Sequence, residues 1–156
     1  MTVLFDERDV RVHSIDRVIA MQWHDTPRES VVKRLEQSIR AYHDVHTDGA
    51  ALIVVPFPSG PDDRARNALQ EMTKRIGSSI VGAAVLLALG GLRGKVLRGV
   101  VNRVIGAMSL PFPVTLVESR RTAVDHALGL LRKRRLDAPP VVDVEAALEL
   151  INRPIA

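Results

Sequence analysis

The sequence predicts an α/β fold: a mixed, mostly parallel sheet of about five strands, opened by an N-terminal hairpin, with helices packed on it. Three observations carry this. Leu52, Ile53, Val54 and Val55 form a short unbroken apolar run, rich in β-branched residues and stopped by Pro56 and Pro58. Such a run reads as a strand buried on both faces, the usual state of a central parallel strand. On either side lie segments whose apolar residues recur at helical spacing: Val31, Val32, Leu35, Ile39 and Tyr42 before it, Ala65, Leu69, Met72 and Ile76 after it. Strands alternating with helices require crossover connections, which are right-handed and make the strands parallel. Near the start, Val10–Ser14 and Val18–Trp23 flank a short Ile15-Asp16-Arg17 connection, the pattern of an antiparallel hairpin.

The remaining elements follow in order. Pro27-Arg-Glu-Ser30 opens the first helix, with Thr26 as its cap, and Asp48-Gly49 closes the connection to the central strand. Pro61-Asp62-Asp63 opens the second helix, where proline and acids suit the first turn. Ile80–Leu89 fits a buried strand or a buried helix; its helical neighbours favour a strand in its first half. Gly90–Gly94 reads as a turn, and Lys95 to about Met108 as an amphipathic helix with Leu97, Val100, Val101, Val104, Ile105 and Met108 on one stripe. Val114–Glu118 is the last strand. Ser119 or Thr122 starts a helix whose stripe holds Ala123, Ala127, Leu128, Leu130 and Leu131. A domain over residues 1–136 is followed by a proline-containing linker and short helix over 137–156, with Asp143 as a possible cap. That helix is too short to stand alone in water, so it docks on its own domain, docks on a second copy, or stays free. The expected core comprises Val18, Ala20, Leu35, Ile39, Leu52, Val54, Leu69, Val85, Leu87, Val101, Ile105, Leu116, Leu128 and Leu131.

Composition narrows the chemistry. At 156 residues and 46% hydrophobic the chain can fill one core, which must be aliphatic because it holds only three Phe, one Trp and one Tyr. It has no cysteine, which excludes disulfides, thiolate metal sites and cysteine catalysis, and fits a reducing cytoplasm. No signal peptide is visible at Met1–Arg8. The longest apolar run, Ile80 to Leu92, has thirteen residues including three glycines, against about 20 for a membrane-spanning helix. The net charge of +4 hides an asymmetry: Arg93–Arg135 carries ten Lys or Arg against Glu118 and Asp125. Nucleic acid is a poor match for this basic region, because aromatic residues that stack on bases are nearly absent. The Lys95–Met108 helix has the charge to lie on an anionic membrane, but its apolar stripe is needed to cover the sheet.

The opening hairpin through Trp23, the hydrophobic strand ending near Pro56, and Phe112–Ser119 followed by Ala123–Leu131 together resemble the STAS-type fold. That family includes anti-sigma-factor antagonists, the cytoplasmic tails of sulphate transporters and small bacterial STAS-like proteins. The resemblance spans roughly Val10 to Leu131. It implies a non-enzymatic regulatory or scaffolding module in bacterial signalling, acting through another protein or by self-association, without a cofactor. In the antagonists an Asp-Ser-Ser/Thr-Gly motif opens the helix after the central strand, and a serine there is phosphorylated. The matching stretch here reads Pro58-Ser59-Gly60-Pro61, so Ser59 is the possible switch position, without the motif's aspartate or second hydroxyl. As a helix cap Ser59 would sit beside Asp62 and Asp63, which would repel a phosphate.

No catalytic set can be assembled. Gly90-Gly-Leu-Arg-Gly-Lys95 falls one residue short of a P-loop and is followed by Val96 rather than Ser or Thr. Gly91, Arg93, Gly94 and Lys95 could still hold an anion such as a phosphate or nucleotide at the helix start. A plain glycine turn explains the same residues. His43 and His46, three apart and near Asp44 and Asp48, have chelating spacing but no third ligand, and read as solvent-exposed histidines. No metal is expected.

Overall fold

The computed structural model describes residues 1–154 of the chain. The strands are β1 (Thr2–Asp6), β2 (Val10–Ile15), β3 (Val18–Trp23), β4 (Ala50–Val55), β5 (Ile80–Leu86) and β6 (Val114–Val117). The helices are α1 (Glu29–Val45), α2 (Asp63–Ile76), α3 (Gly91–Ala107), α4 (Arg120–Lys133) and α5 (Val141–Ile151). All six strands form one sheet in sequence order. The β1–β2 and β2–β3 pairs are antiparallel; β3–β4, β4–β5 and β5–β6 are parallel. The predicted fold class holds, with one strand more than expected. The addition is β1, whose side chains are mostly exposed and whose register with β2 is irregular between Val3 and Phe5. An edge strand of this kind gives little hydrophobic signal.

Each parallel crossover advances by one strand in the same direction, which places α1, α2 and α3 on one face. No strand follows α4, and it folds back over the other face with α5. Alternation along the strands divides the core accordingly. Ile19, Met21, Trp23 and Leu52 meet Val31, Val32, Leu35 and Ile39 of α1. Val18, Ala20, Ala51 and Ile53 meet Ala127, Leu128 and Leu131 of α4 and Val144, Leu148 and Ile151 of α5. The C-terminal helix is thus docked on its own chain.

Several element ends differ from the sequence reading. Asp62 caps α2 by accepting a hydrogen bond from the Ala65 amide at 2.8 Å, so Ser59 is not the cap. The residue at the cap of α1 is Arg28, not Thr26, and no side chain closes it. The Gly90–Gly94 segment is not a turn. Gly90 is the cap, Gly91 begins α3, and the connection from β5 is the irregular stretch 87–90. Gly91 has φ +63°, a left-handed conformation that glycine adopts freely. Helix α5 begins at Val141 behind Pro140, with Asp143 in its first turn.

The helices are held unequally. Arg75 of α2 donates to both carboxylate oxygens of the buried Glu36 of α1, to Oε2 at 2.9 Å, and this pairing lowers the Glu36 pKa. By contrast α3 buries only Leu97 and Val101 of its 17 residues. Its sequence carries four glycines and five β-branched residues, all weak helix formers.

On β2, His13 pairs with Ala20 of β3 and is buried, and its Nδ1 has no hydrogen-bond partner. Burial pushes its pKa below the ordinary 6.5, opposed by the Asp6 charge and assisted by Arg11. The unfolded chain therefore takes up this proton more readily than the folded one. The His13 contribution is fully present above about pH 6.5 and is lost as pH falls below that value. We expect thermal stability to decline from pH 6.5 towards pH 5, by at most about 1.4 kcal/mol per pH unit for this one group. Melting curves of His13→Leu across that range should lack this component; an unchanged slope would assign the decline to other groups.

Candidate functional site

Between α2, α3 and the sheet lies a cavity of about 190 Å³. Its floor is made by Met21 and Trp23 of β3, Leu52 and Val54 of β4, and Ala83 and Val85 of β5. Leu69 and Met72 of α2 form one wall, and Val100, Val104 and Ile105 of α3 form the other. Pro56–Pro61 and Met108–Phe112 supply the ends.

The void follows from side-chain size. Strand β5 reads Ile-Val-Gly-Ala-Ala-Val-Leu, with its smallest residues in the middle. On the α4 face that smallness is filled: a Cβ on Gly82 would stand 2.7 Å from the Leu130 side chain. On the α3 face Ala83 and the α3 residues Val100 and Val104 line the space left between sheet and helix. Of the residues expected in the core, Val54, Leu69, Ile105 and Leu116 are only partly buried, and the first three line this cavity.

No charged side chain lines it. Its hydroxyls are Ser59, exposed at the mouth, and Thr73, whose Oγ1 already donates to the Gln70 carbonyl at 2.8 Å. An apolar cavity with so few hydrogen-bonding groups favours an apolar guest over water. An engineered cavity of about 150 Å³ admits benzene, so this one suits a molecule of that size or slightly larger. Charged ligands would lose their hydration without a matching partner.

The sequence-predicted site residues are brought together only in part. Gly91, Gly94 and Lys95 line a separate hollow at the start of α3, whereas Arg93 is exposed outside it. A Cβ on Gly94 would come 2.0 Å from the Leu89 carbonyl oxygen, so this glycine is required for the close approach of loop and helix. The carboxylate of Glu118 also lines the hollow, bound to Arg98 at 3.0 Å, and it opposes an anion there. Ser59 stands at the mouth of the apolar cavity instead of on a helix end. His43 and His46 are half-buried rather than solvent-exposed. His46 stacks on Tyr42 with ring centroids 4.2 Å apart, and His43 lies 3.4 Å from Asp44. Among the described residues no three His, Asp or Glu side chains cluster as metal ligands, and no helix is long and apolar enough to cross a membrane.

Periodicity could not reveal the cavity, because it marks which residues face inward but not whether they meet. The available signal was Ala83, the small residue of β5 on the α3 side, together with an α3 sequence built largely of valine and glycine. The chain matches no protein-family model, no curated protein and no solved structure.

Proposed function

We propose that the chain is a non-enzymatic binding module whose ligand is a small, neutral, apolar molecule held beneath α3. The observation that carries this is the cavity of about 190 Å³ with its uncharged, almost wholly apolar wall. The weak hold on α3 supports a regulatory use: a guest adds contacts to a helix that buries only two residues of its own. Occupancy would then set how firmly α3 is seated, and a partner or surface reading α3 would sense it. STAS-like kinship is part of the proposal. It is supported by the order of elements, with the β2–β3 hairpin followed by parallel β4, β5 and β6. A role in bacterial signalling in the cytoplasm belongs to the same reading.

The test uses Trp23, the one tryptophan, which is buried and lines the cavity. Titration with benzene, alkylbenzenes and short alkanols should change its fluorescence saturably, with the tightest binding near eight to ten heavy atoms. At a concentration one hundred times Kd, stabilisation of about 2.7 kcal/mol is expected, a rise in Tm of roughly 5–10 °C for a chain of this size. Val104→Phe and Ala83→Leu fill the cavity from opposite sides and should abolish the response while preserving a cooperative melt. Absence of saturation across the series, or binding unchanged in both filled variants, would refute this reading.

A further inference from the structure

We propose that the outer face of α3, with the loop before it, is a docking surface for a lipid bilayer bearing anionic headgroups. The inference rests on this face alone, not on occupancy of the cavity beneath.

Large exposed apolar side chains are few, and three of them gather here: Leu89 at 42% exposure, Leu92 at 78% and Val96 at 60%. Leu89 lies in the loop, and Leu92 and Val96 are one turn apart on α3. Around them stand the exposed cations Arg93, Lys95 and Arg103. None of the three makes an ion pair among the described residues, whereas Arg98 is bound to Glu118. Helix α3 contains no acidic residue. Aliphatic side chains on an exposed helix face, flanked by unpaired cations, are the combination that seats a helix at an anionic interface.

The same face argues against a protein occupant. Its line along the helix runs Leu92, Val96, Gly99, Arg103, Gly106, spaced four, three, four and three as in a coiled-coil seam. Beyond Val96 that line has no apolar knob: a Cβ added at Gly99 or Gly106 would meet nothing within 4 Å. Three aliphatic side chains fall far short of the roughly 20–30 residues a side of a stable protein interface. A bilayer makes no such demand. It accepts a few apolar groups at any register, and the cations add attraction without specific geometry. The result is weak, reversible and salt-dependent binding.

Co-sedimentation of the full chain with large unilamellar vesicles tests this. Vesicles of phosphatidylcholine with phosphatidylglycerol should bind the protein, and phosphatidylcholine alone should bind at least tenfold less. Raising salt from 50 to 500 mM should weaken the anionic binding tenfold or more. Leu92→Glu with Val96→Glu, and separately Arg93→Glu with Lys95→Glu, should each reduce it at least tenfold with Tm unchanged, since all four residues are exposed. Equal binding to both vesicle types, no binding to either, or binding unaffected by both double variants would overturn the proposal. So would a dimer in light scattering that Leu92→Glu dissociates while vesicles remain unbound, which would assign the face to a second copy. Vesicle binding with a failed Trp23 titration would remove the cavity reading alone. A successful titration without vesicle binding would remove the surface reading alone.

Discussion

A chain ending at Leu136 is expected to be largely unfolded at 25 °C, with no cooperative thermal transition. Helix α5 buries Val144, Ala147, Leu148 and Ile151, each no more than 2% exposed, against Ile15, Val18 and Ala20 of the sheet. Full burial of a Val, Leu or Ile side chain contributes about 1.5–3 kcal/mol, so the three large ones alone are worth roughly 5–9 kcal/mol. A domain of this size has about 5–15 kcal/mol in all. Deletion also exposes the apolar face beneath and removes polar ties across it. Arg11 donates to the Arg153 carbonyl at 2.8 Å, Gln22 Nε2 donates to Asn152 Oδ1 at 3.0 Å, and His24 Nε2 lies 2.7 Å from the Ile151 carbonyl. Far-ultraviolet circular dichroism with a thermal ramp measures the effect. A truncated chain melting cooperatively within a few degrees of the full one would show that α5 is an accessory.

The sequence showed that α5 exists and which of its residues share a face, because those signals are local. It did not show where the helix goes. The helix carries Glu145 and Glu149 outside its apolar face, and it packs through its apolar stripe on β2, β3 and α4. Hydrophobic burial outweighed charge pairing between solvated groups, as exposed ion pairs contribute only about 0–1 kcal/mol. Strands β2 to β6 were legible from their apolar runs; β1 was not, since only Phe5 is buried and Leu4 partly so. The α3 segment shows the limit most clearly. Its stripe reads as cover for the sheet, and Leu97 and Val101 are buried as such cover. Yet Val100, Val104 and Ile105 are only partly buried, and with Ala83 they line the cavity. Leu92 and Val96 fall outside the stripe that begins at Leu97, and the structure leaves both exposed while Leu97 is buried.

Ile53→Asp is expected to leave no folded protein, whereas Val54→Asp should leave a weakened but cooperative fold. The two residues are neighbours on β4 and differ in the face they present. Ile53 is 0% exposed and sits at the centre of the side covered by α4 and α5, between Ala20 of β3 and Ala84 of β5. A carboxylate there has no cation within the cluster and no route to water. It must stay protonated or disrupt the packing, at a cost of several kcal/mol on top of the lost isoleucine. Val54 is only partly buried and borders the cavity, whose mouth opens beside Ser59. An aspartate at 54 can draw water into that space, which limits the penalty to about 1–3 kcal/mol. It should also abolish binding of apolar probes while the melt persists. The comparison tests the strand register directly, because a slip of one residue exchanges the two faces. If Val54→Asp unfolds the chain while Ile53→Asp merely weakens it, the register of β4 is shifted by one. In that case the apolar cavity is not where the side chains of β4 and β5 now place it.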